Sequence, residues 1–363
     1  MSLQQNRIEQ VLPDWAQFDL IIDARSPAEF ALDHLPGAVN WPVLDDEQRR
    51  IVGTLYKQTS ALEARKLGAA MAARNIADHL DREMPPLTRD WRPLVYCWRG
   101  GQRSGSLSLV LSQIGYRVTQ LAGGYKGFRA QVRLDLDDWA PKLKLRVLCG
   151  RTGSGKTRIL QALAEQGAQV LDLESLANHR GSVLGDVPEQ PQPSQKQFET
   201  LLWQAVRGFD LGRSIWIESE SRKIGNLRVP EALHNHLRAH GNCVWIDTPL
   251  ATRVQLLLQD YEHFRLDPQA LCTQLDKLVP LRGRDVVATW QDHIRKGEWT
   301  ALLESLLRDH YDPGYERSLE QSFPQLASAP KLALAQASLA QASNLAQNLL
   351  INEPDWISNL GWS

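Results

Sequence analysis

The sequence predicts two consecutive α/β domains, each built around a parallel sheet, with a helical part at the end of the second domain. Apolar runs with strand character alternate with helical patterns in two successive series along the chain. A cysteine loop follows one predicted strand of the first series, and a glycine-rich loop follows the opening strand of the second. The 363 residues are enough for two domains with separate hydrophobic cores.

The first series predicts a domain over residues 1–135. Its predicted elements are strand Asp19–Asp23, helix Leu62–Met84, strand Leu94–Cys97, helix Ser104–Ile114 and strand Tyr116–Leu121. Two prolines, Pro85 and Pro86, end the long helix because proline cannot continue the helical hydrogen-bond pattern. Strands that alternate with helices favour a parallel sheet covered on both faces.

The second series predicts a domain over residues 145–320, separated from the first by a linker at 136–144. The linker prediction rests on the acidic, proline-containing segment Leu134–Lys144. The predicted elements are a strand from Leu145, a helix through Glu165, strand Gln169–Leu173, helix Lys196–Phe209, strand Ser214–Glu218, helix Glu231–Ala239, strand Cys243–Asp247 and helices from Ala251 to His310. The last segment, 321–363, is rich in Ala and Gln and is interpreted as an accessory helical tail.

Composition narrows the functional classes. Forty-one Lys and Arg residues against 42 Asp and Glu give a net charge of -1, so any binding of nucleic acid must depend on local basic patches. The four cysteines lack the spacing of a zinc site or of a disulfide framework. Neither a signal-like N-terminus nor an apolar run of membrane-spanning length is found, and we expect a cytoplasmic protein without membrane association.

Cys97 is the candidate nucleophile. It ends a predicted buried strand and is followed by a tight loop and a helix, where backbone N–H groups and the positive end of the helix dipole favour a thiolate. Arg99 and Arg103 add positive charge close by. The remaining cysteines, Cys149, Cys243 and Cys272, lie in apolar patterns and are predicted to pack in the core.

Four stretches resemble the successive signatures of the rhodanese family. They are DARSPAEF (23–30), DHLPGAVN (33–40), the Cys97 loop and LAGGY (121–125). The resemblance implies that Cys97 carries sulfur or selenium as a persulfide or perselenide held by loop amides. The residues expected to support this chalcogen loop are Asp23, Arg25, Arg99, Gly100, Gly101 and Arg103.

The length of the cysteine loop leaves a second interpretation open. Cys97 to Arg103 forms a C-x5-R pattern, which resembles the phosphatases that share the rhodanese fold. Tyr96 stands where such phosphatases usually have histidine, and no acid is obvious nearby to protonate a leaving group. A wider loop would also suit a chalcogen donor that carries a phosphate, such as selenophosphate.

A phosphate-binding loop is predicted at Gly150–Thr157. The sequence GRTGSGKT follows an apolar strand and opens a helix, as the G-x-x-x-x-G-K-[ST] motif requires. Backbone N–H groups and Lys156 would face phosphate oxygens, and the Thr157 hydroxyl would reach a magnesium ion. The predicted phosphate-binding residues are Gly150, Thr152, Gly153, Ser154, Gly155, Lys156 and Thr157.

Charged residues lie at or just after the ends of two predicted strands, Gln169–Leu173 and Ser214–Glu218. Because the carboxyl ends of parallel strands lie at one edge of a sheet, we expect them to hold magnesium or to contact a diphosphate there. These candidates are Asp172, Arg180, Glu218, Glu220, Arg222 and Lys223. A solvated charged turn is the alternative interpretation of the Glu218–Lys223 stretch.

The combination of the two domains, together with the stretches ESESRKIG and HRGS, resembles the tRNA 2-selenouridine synthase family from about Asp19 to Asp312. That resemblance implies a transferase without a prosthetic group. Its substrate would be the wobble 2-thiouridine of lysine, glutamate and glutamine tRNAs, and its co-substrates geranyl diphosphate and selenophosphate. The phosphate loop would bind the diphosphate, and Cys97 would supply selenium. The competing hypotheses are a rhodanese-linked phosphatase, a nucleotide-hydrolysing sulfurtransferase or kinase, and a sensing protein without turnover.

Overall fold

A computed structural model describes residues 3–83, 90–182, 184–187, 190–260, 262–314 and 323–352. The chain forms two compact units. The first comprises Met1–Leu136 and Pro193–Gln204, and the second comprises Asp137–Gln192 and Ala205–Ser363. Among the described residues, no helix is both long enough and apolar enough to cross a bilayer.

The first unit contains a parallel sheet in the order β1-β5-β4-β2-β3. Its strands are β1 Gln4–Asn6, β2 Leu20–Asp23, β3 Ala38–Asn40, β4 Pro93–Tyr96 and β5 Thr119–Leu121. Its helices are α1 Ile8–Val11, α2 Pro27–Leu32, α3 Asp46–Gln58, α4 Ala61–Glu83, α5 Gln102–Ile114 and α6 Gly124–Trp139. Strand β4 is buried throughout, and it delivers Cys97 to the carboxyl edge of the sheet.

Helix starts in the first unit follow from local side-chain chemistry. Helix α2 begins with proline at its first position and a capping box between Ser26 and Glu29. Asp45 caps α3 by accepting from the Gln48 backbone N–H at 2.7 Å. Helix α4 ends at Glu83, and the two prolines predicted to end it lie outside the described residues.

The second unit also has a parallel sheet, in the order β12-β11-β6-β8-β7. Its strands are β6 Lys144–Cys149, β7 Gln169–Leu171, β8 Ser214–Glu218, β11 Asn242–Asp247 and β12 Lys331–Ala333, and a hairpin joins β9 Lys223–Ile224 to β10 Leu227–Arg228. The predicted fold class is confirmed: β6 is the central strand, and it leads directly into the glycine-rich loop.

Helices complete the second unit and confirm the predicted helical part after Ala251. They are α7 Lys156–Glu165, α8 Leu173–Leu176, α10 Glu231–His240, α11 Leu250–Asp260, α12 Glu262–Leu266, α13 Pro268–Asp276, α14 Val279–Arg282, α15 Arg284–Lys296, α16 Trp299–Leu306 and α17 Leu339–Ile351. Helix α9, Gln195–Arg207, begins within the segment that packs in the first unit.

Three local predictions differ from the structure. The predicted strand Gln169–Leu173 ends at Leu171, because Asp172 accepts from the Ser175 backbone N–H and caps α8. The segment 136–144, predicted as a linker, consists of the end of α6, a 3-10 turn at Ala140–Lys142 and the start of β6. The described part of the Ala/Gln-rich segment, 323–352, contributes β12 as well as a helix, so this part belongs to the second unit's core rather than to an accessory tail.

The C-terminal helix α17 packs against α7. Its small and aliphatic side chains Ala342, Ala346 and Leu349 join Leu160 and Leu163 in one buried cluster. Strand β12 places Lys331–Ala333 beside Trp245–Asp247 of β11. Helix α7, which follows the phosphate loop, is therefore packed against the last helix of the described chain.

Helix α9 packs into the first unit by its N-terminal part. The Thr200 hydroxyl donates to Asp33 Oδ2 at 3.1 Å, and Arg129 donates to Thr200 Oγ1 at 2.9 Å. Trp203 donates through Nε1 to Asp135 at 2.7 Å and meets Phe128 edge-on. The first unit is therefore built from two separate stretches of sequence, whereas the sequence predicted a contiguous domain.

Candidate functional site

The thiol of Cys97 is held by the first turn of α5. Cys97 is 3% exposed, and the Ser104 hydroxyl donates to its Sγ atom at 3.1 Å. Gln120 of β5 donates through Nε2 to Ser104 Oγ and to Gly100 O, each at 2.9 Å. Sequence reasoning missed Ser104 and Gln120, although a glutamine within a predicted buried strand was a signal.

The turn after β5 holds the cysteine loop through two backbone hydrogen bonds. Tyr125 donates its backbone N–H to Cys97 O at 2.8 Å, and Lys126 donates to Trp98 O at 2.9 Å. Gly124 has φ +53°, and a Cβ atom there would overlap Cys97 O and lie 2.5 Å from Gly100 N. The predicted Gly-Gly signature is thus explained by close contact between two backbone segments.

We expect Gly124→Ala to displace the Cys97 loop. Backbone strain at positive φ costs about 1–3 kcal/mol, and the overlap with the loop adds to this cost. Gly37→Ala is the matched control, because Gly37 has φ +74° and a Cβ atom added there would have nothing within 4 Å. Thermal unfolding and the rate of Cys97 alkylation by iodoacetamide should change more in Gly124→Ala. Equal effects in the two variants would show that the loop tolerates the methyl group.

Asp23 and Arg25 form a buried ion pair beneath the loop. Arg25 Nη2 lies 2.6 Å from Asp23 Oδ2, and both side chains are at most 1% exposed. The guanidinium also lies 3.9 Å from the centre of the Tyr125 ring. Burial and the neighbouring Asp33 raise the pKa of Tyr125, so its hydroxyl stays protonated and donates to Asp33 at 2.7 Å. The pair supports the loop through Tyr125.

Loss of the Arg25 charge should destabilise the first unit strongly. Arg25→Met leaves Asp23 as a buried carboxylate without its partner, which typically costs about 3–5 kcal/mol. Arg50→Met removes an exposed ion pair with Glu47, in which the side chains are 65% and 63% exposed, and should have little effect. The measurement is the midpoint of denaturant unfolding for each of the two variants. Similar midpoints would mean that the buried pair contributes no more than a surface pair.

The two arginines of the loop region have different surroundings. Arg99 is exposed, whereas Arg103 pairs with Glu29 at 2.6 Å. Burial alone would raise the pKa of Glu29, but Arg103 and Arg49 outweigh burial and hold it at about 2. Glu29 is therefore ionised and neutralises Arg103. In a phosphatase this arginine would be needed for the substrate oxyanion, so its pairing disfavours that interpretation.

The phosphate loop has the geometry that its motif predicts. Gly153 and Gly155 have φ +76° and +83°, which is the left-handed region favoured by glycine. Lys156 opens α7 and donates from Nζ to Gly150 O at 2.9 Å, across the loop. The loop thus brings its backbone, Lys156 and the N-terminus of α7 to one place, as anion binding requires.

Acidic side chains lie beside this loop. The Thr157 hydroxyl donates to Glu174 Oε2 at 3.2 Å, and the Glu174 backbone N–H donates to Glu218 Oε1 at 2.9 Å. Burial raises the pKa of Asp172, Glu174, Glu218 and Glu220, and for Glu218 the three neighbouring acids raise it further. Lys156 opposes the rise for Glu174 and Glu220. A cation at this position would relieve the repulsion. Sequence reasoning missed Glu174, although it follows directly on the predicted strand.

The oxygen atoms of these side chains could bind magnesium only together with the phosphate oxygens of a bound ligand. Glu218 is 2% exposed, and within the described structure its Oε2 atom has no hydrogen-bond partner. Across the described ranges, no three His, Cys, Asp or Glu side chains form a ready-made metal site. Magnesium usually binds through one or two carboxylates together with substrate phosphates and water. Thr157, Glu174 and Glu218 fit that pattern.

A polar cavity of about 810 Å³ is lined by many of the residues predicted to bind phosphate or magnesium. Its lining includes Thr152–Thr157 of the loop together with Asp172, Glu174, Arg180 and Glu220. Arg180 donates to the backbone O of Asp260. Three of the residues predicted to contact magnesium or a diphosphate are not among the described lining residues. Glu218 is buried and accepts from the Glu174 backbone N–H, Arg222 pairs with Glu231 at 3.3 Å, and Lys223 is exposed in the β9–β10 hairpin.

These features define a class of protein: a rhodanese-like domain joined to a phosphate-loop α/β domain. The family model of the rhodanese-like domain matches residues 5–131, and the model described as the tRNA 2-selenouridine synthase AAA domain matches residues 143–277. The chain belongs to the tRNA 2-selenouridine synthase family.

Three relatives named tRNA 2-selenouridine synthase illustrate the similarity. The protein of Nitrosomonas europaea is 39% identical over 66% of this chain and 63% of its own length. That of a Sulfurovum species is 31% identical over 83% of this chain and 89% of its own length. That of Bdellovibrio bacteriovorus is 31% identical over 88% of this chain and 94% of its own length. The match to the Nitrosomonas europaea protein thus spans less than two thirds of that relative.

Proposed function

We propose that this chain converts wobble 2-thiouridine of lysine, glutamate and glutamine tRNAs into 2-selenouridine in the cytoplasm. The thiocarbonyl sulfur is first alkylated with geranyl diphosphate, and selenium from selenophosphate then replaces the S-geranyl group. One observation carries the proposal: a chain of this family holds both a cysteine loop fixed by hydrogen bonds and a cavity in which Lys156 and Thr157 lie beside half-buried acids.

The first step would take place at the phosphate loop. The sulfur attacks C1 of the geranyl group, the bond from C1 to the diphosphate oxygen breaks, and the diphosphate leaves with the electron pair. Lys156 and the loop N–H groups stabilise the departing charge. Magnesium, held by Thr157, Glu174 and Glu218, would add electrostatic stabilisation of the same charge. Alkylation turns a poor leaving group into a better one.

The second step is assigned to the rhodanese-like domain. Selenium bonds to C2 of the ring, and the geranyl group leaves with its sulfur as geranyl thiol. The phosphorus of selenophosphate ends as phosphate after reaction with water, so the net exchange needs neither oxidant nor reductant. Selenium stays at the selenide level throughout: selenophosphate adds to C2 through its selenium, geranyl thiol leaves, and water then cleaves the bond between phosphorus and selenium. We assign Cys97, whose position is fixed by Ser104 and by the turn at Gly124, to positioning selenophosphate for this addition, without a perselenide on the thiol.

A reconstitution with purified components tests the proposal. Thiolated tRNA with geranyl diphosphate should give the S-geranyl nucleoside, and added selenophosphate should give 2-selenouridine. The same tRNA without the thiocarbonyl sulfur is the control and should give neither product. A requirement for ATP or GTP hydrolysis would favour the nucleotide-hydrolysing alternative. Phosphate release from esters that depends on Cys97 would favour a phosphatase, and binding without turnover would favour a sensing role.

A further inference from the structure

A narrow apolar cavity adjoins the polar cavity of the phosphate loop. It measures about 40 Å³ and lies among α11, α12, α13 and α16. Apart from Thr152, Ser182, Arg265 and Tyr311, its lining is aliphatic or aromatic without a hydroxyl group. Thr152, Ser182, Leu257 and Tyr311 line both cavities, so the two adjoin at that point.

The apolar cavity separates two clusters of buried side chains. Leu257 and Leu307 belong to one cluster, and Leu271 and Leu302 belong to the other. The phosphate loop touches the cavity wall directly, because a Cβ atom at Gly153 would lie 2.8 Å from Leu257 Cγ. A ligand bound at the loop could therefore extend into the apolar space.

We propose that this cavity receives the hydrocarbon tail of the diphosphate substrate. The inference rests on the proposed function and assigns a subsite to it. The anionic head would bind at Lys156 and Thr157, while the tail would lie against Leu257, Leu303 and Trp299. The base and ribose of a nucleotide would find few hydrogen-bond partners in such a lining, and unpaired polar groups disfavour burial there. The site therefore selects an amphiphilic phosphate ligand.

The narrowness of the cavity has a consequence for substitutions. A ten-carbon chain exceeds the free space, so its binding requires the aliphatic side chains of the wall to move apart. Leu303 and Trp299 are half-buried members of that wall, so their substitution disturbs the packing less than a change at a fully buried position. A larger side chain at Leu303 should block the tail, and a smaller one at Trp299 should admit a longer tail.

Two ligands separate the head from the tail. Inorganic diphosphate probes the phosphate loop alone, and geranyl diphosphate probes both parts. In calorimetric titrations of the full chain, geranyl diphosphate should bind at least about tenfold more tightly, because each buried methylene adds favourable transfer free energy. Leu303→Trp should weaken the affinity for geranyl diphosphate by about tenfold and leave the affinity for inorganic diphosphate unchanged. The matched control is Leu266→Trp, at an 85% exposed position outside the cavity, which should change neither affinity.

A second variant, Trp299→Ala, tests the same subsite in case Leu303→Trp does not fold. Trp299→Ala should raise the affinity for farnesyl diphosphate relative to geranyl diphosphate by several-fold, while thermal unfolding confirms that each variant is folded. Equal affinities of the wild type for inorganic and geranyl diphosphate, with no change in either variant, would overturn the tail subsite and leave the diphosphate assignment in place. Failure of both ligands to bind would overturn the diphosphate assignment and the subsite together.

Discussion

Replacement of Cys97 by alanine is expected to abolish selenium incorporation while S-geranylation continues, so S-geranyl tRNA should accumulate. Alkyl transfer needs an oriented thiocarbonyl sulfur and a bound diphosphate, both of which we assign to the phosphate-loop cavity. The thiol lies in the other compact unit, on the loop after β4. Reverse-phase chromatography of digested tRNA measures both products, because a geranylated nucleoside is retained far longer than a selenated one.

Two controls sharpen this experiment. Cys272→Ala removes the half-buried thiol of α13, which packs at the edge of a helical core cluster, and should leave both products unchanged. Cys97→Ser preserves the approximate size of the side chain next to Ser104 and tests whether the loop collapses in the alanine variant. Normal selenouridine formation by Cys97→Ala would show that this thiol is not needed for selenium transfer. Loss of both products in a folded Cys97→Ala protein would mean that the two centres act as one site.

Replacement of Lys156 by alanine should abolish S-geranylation, and selenouridine formation with it. Lys156 bridges the loop by donating to Gly150 O, and it is the cation that opposes the raised pKa of Glu174 and Glu220. Without it, the diphosphate would face the acids without a compact positive charge. Loss of one such electrostatic contact typically lowers kcat by about 10²–10³-fold. Product formation from thiolated tRNA and geranyl diphosphate is the measurement.

The charge and its position can be separated by further variants. Lys156→Arg keeps the charge but replaces a compact ammonium with a planar guanidinium, so we expect only partial recovery. Lys142→Ala removes a lysine that is 53% exposed and should not affect transfer. Unchanged geranylation in a folded Lys156→Ala protein would refute the diphosphate assignment. Robust ATP or GTP hydrolysis that is needed for product would instead assign the loop to a nucleotide.

Local patterns account for the parts of the site that the sequence predicted. The strand, loop and helix around Cys97 and around Lys156 are each specified within about a dozen consecutive residues, through an apolar run followed by glycines and a helical pattern. The carboxyl edge of the second sheet brings Asp172 and Glu220 to the phosphate loop because parallel strands end on the same side.

Contacts between distant segments account for what the sequence did not predict. The bracing of Ser104 by Gln120 depends on the parallel pairing of β4 with β5, which no local pattern encodes. Strands β1 and β12 are three residues each, too short for a periodic signal. Arg222 and Lys223 follow β8 closely, but the chain turns into a hairpin that carries them away from the described cavity lining. The sequence did not predict the pairing of Arg103 with Glu29 either, because the two residues lie on different helices.

The two-part composition of the first unit affects the order in which the protein matures on the ribosome. Met1–Leu136 leaves the exit tunnel well before Pro193–Gln204, and until then Asp33 and Arg129 lack Thr200. At about 5–20 residues per second, the delay lasts several seconds. During that interval β6, the phosphate loop and β7 leave the tunnel. The first unit therefore cannot be completed until the phosphate loop has left the tunnel, and a chain interrupted between Leu136 and Pro193 would release an unfinished first unit.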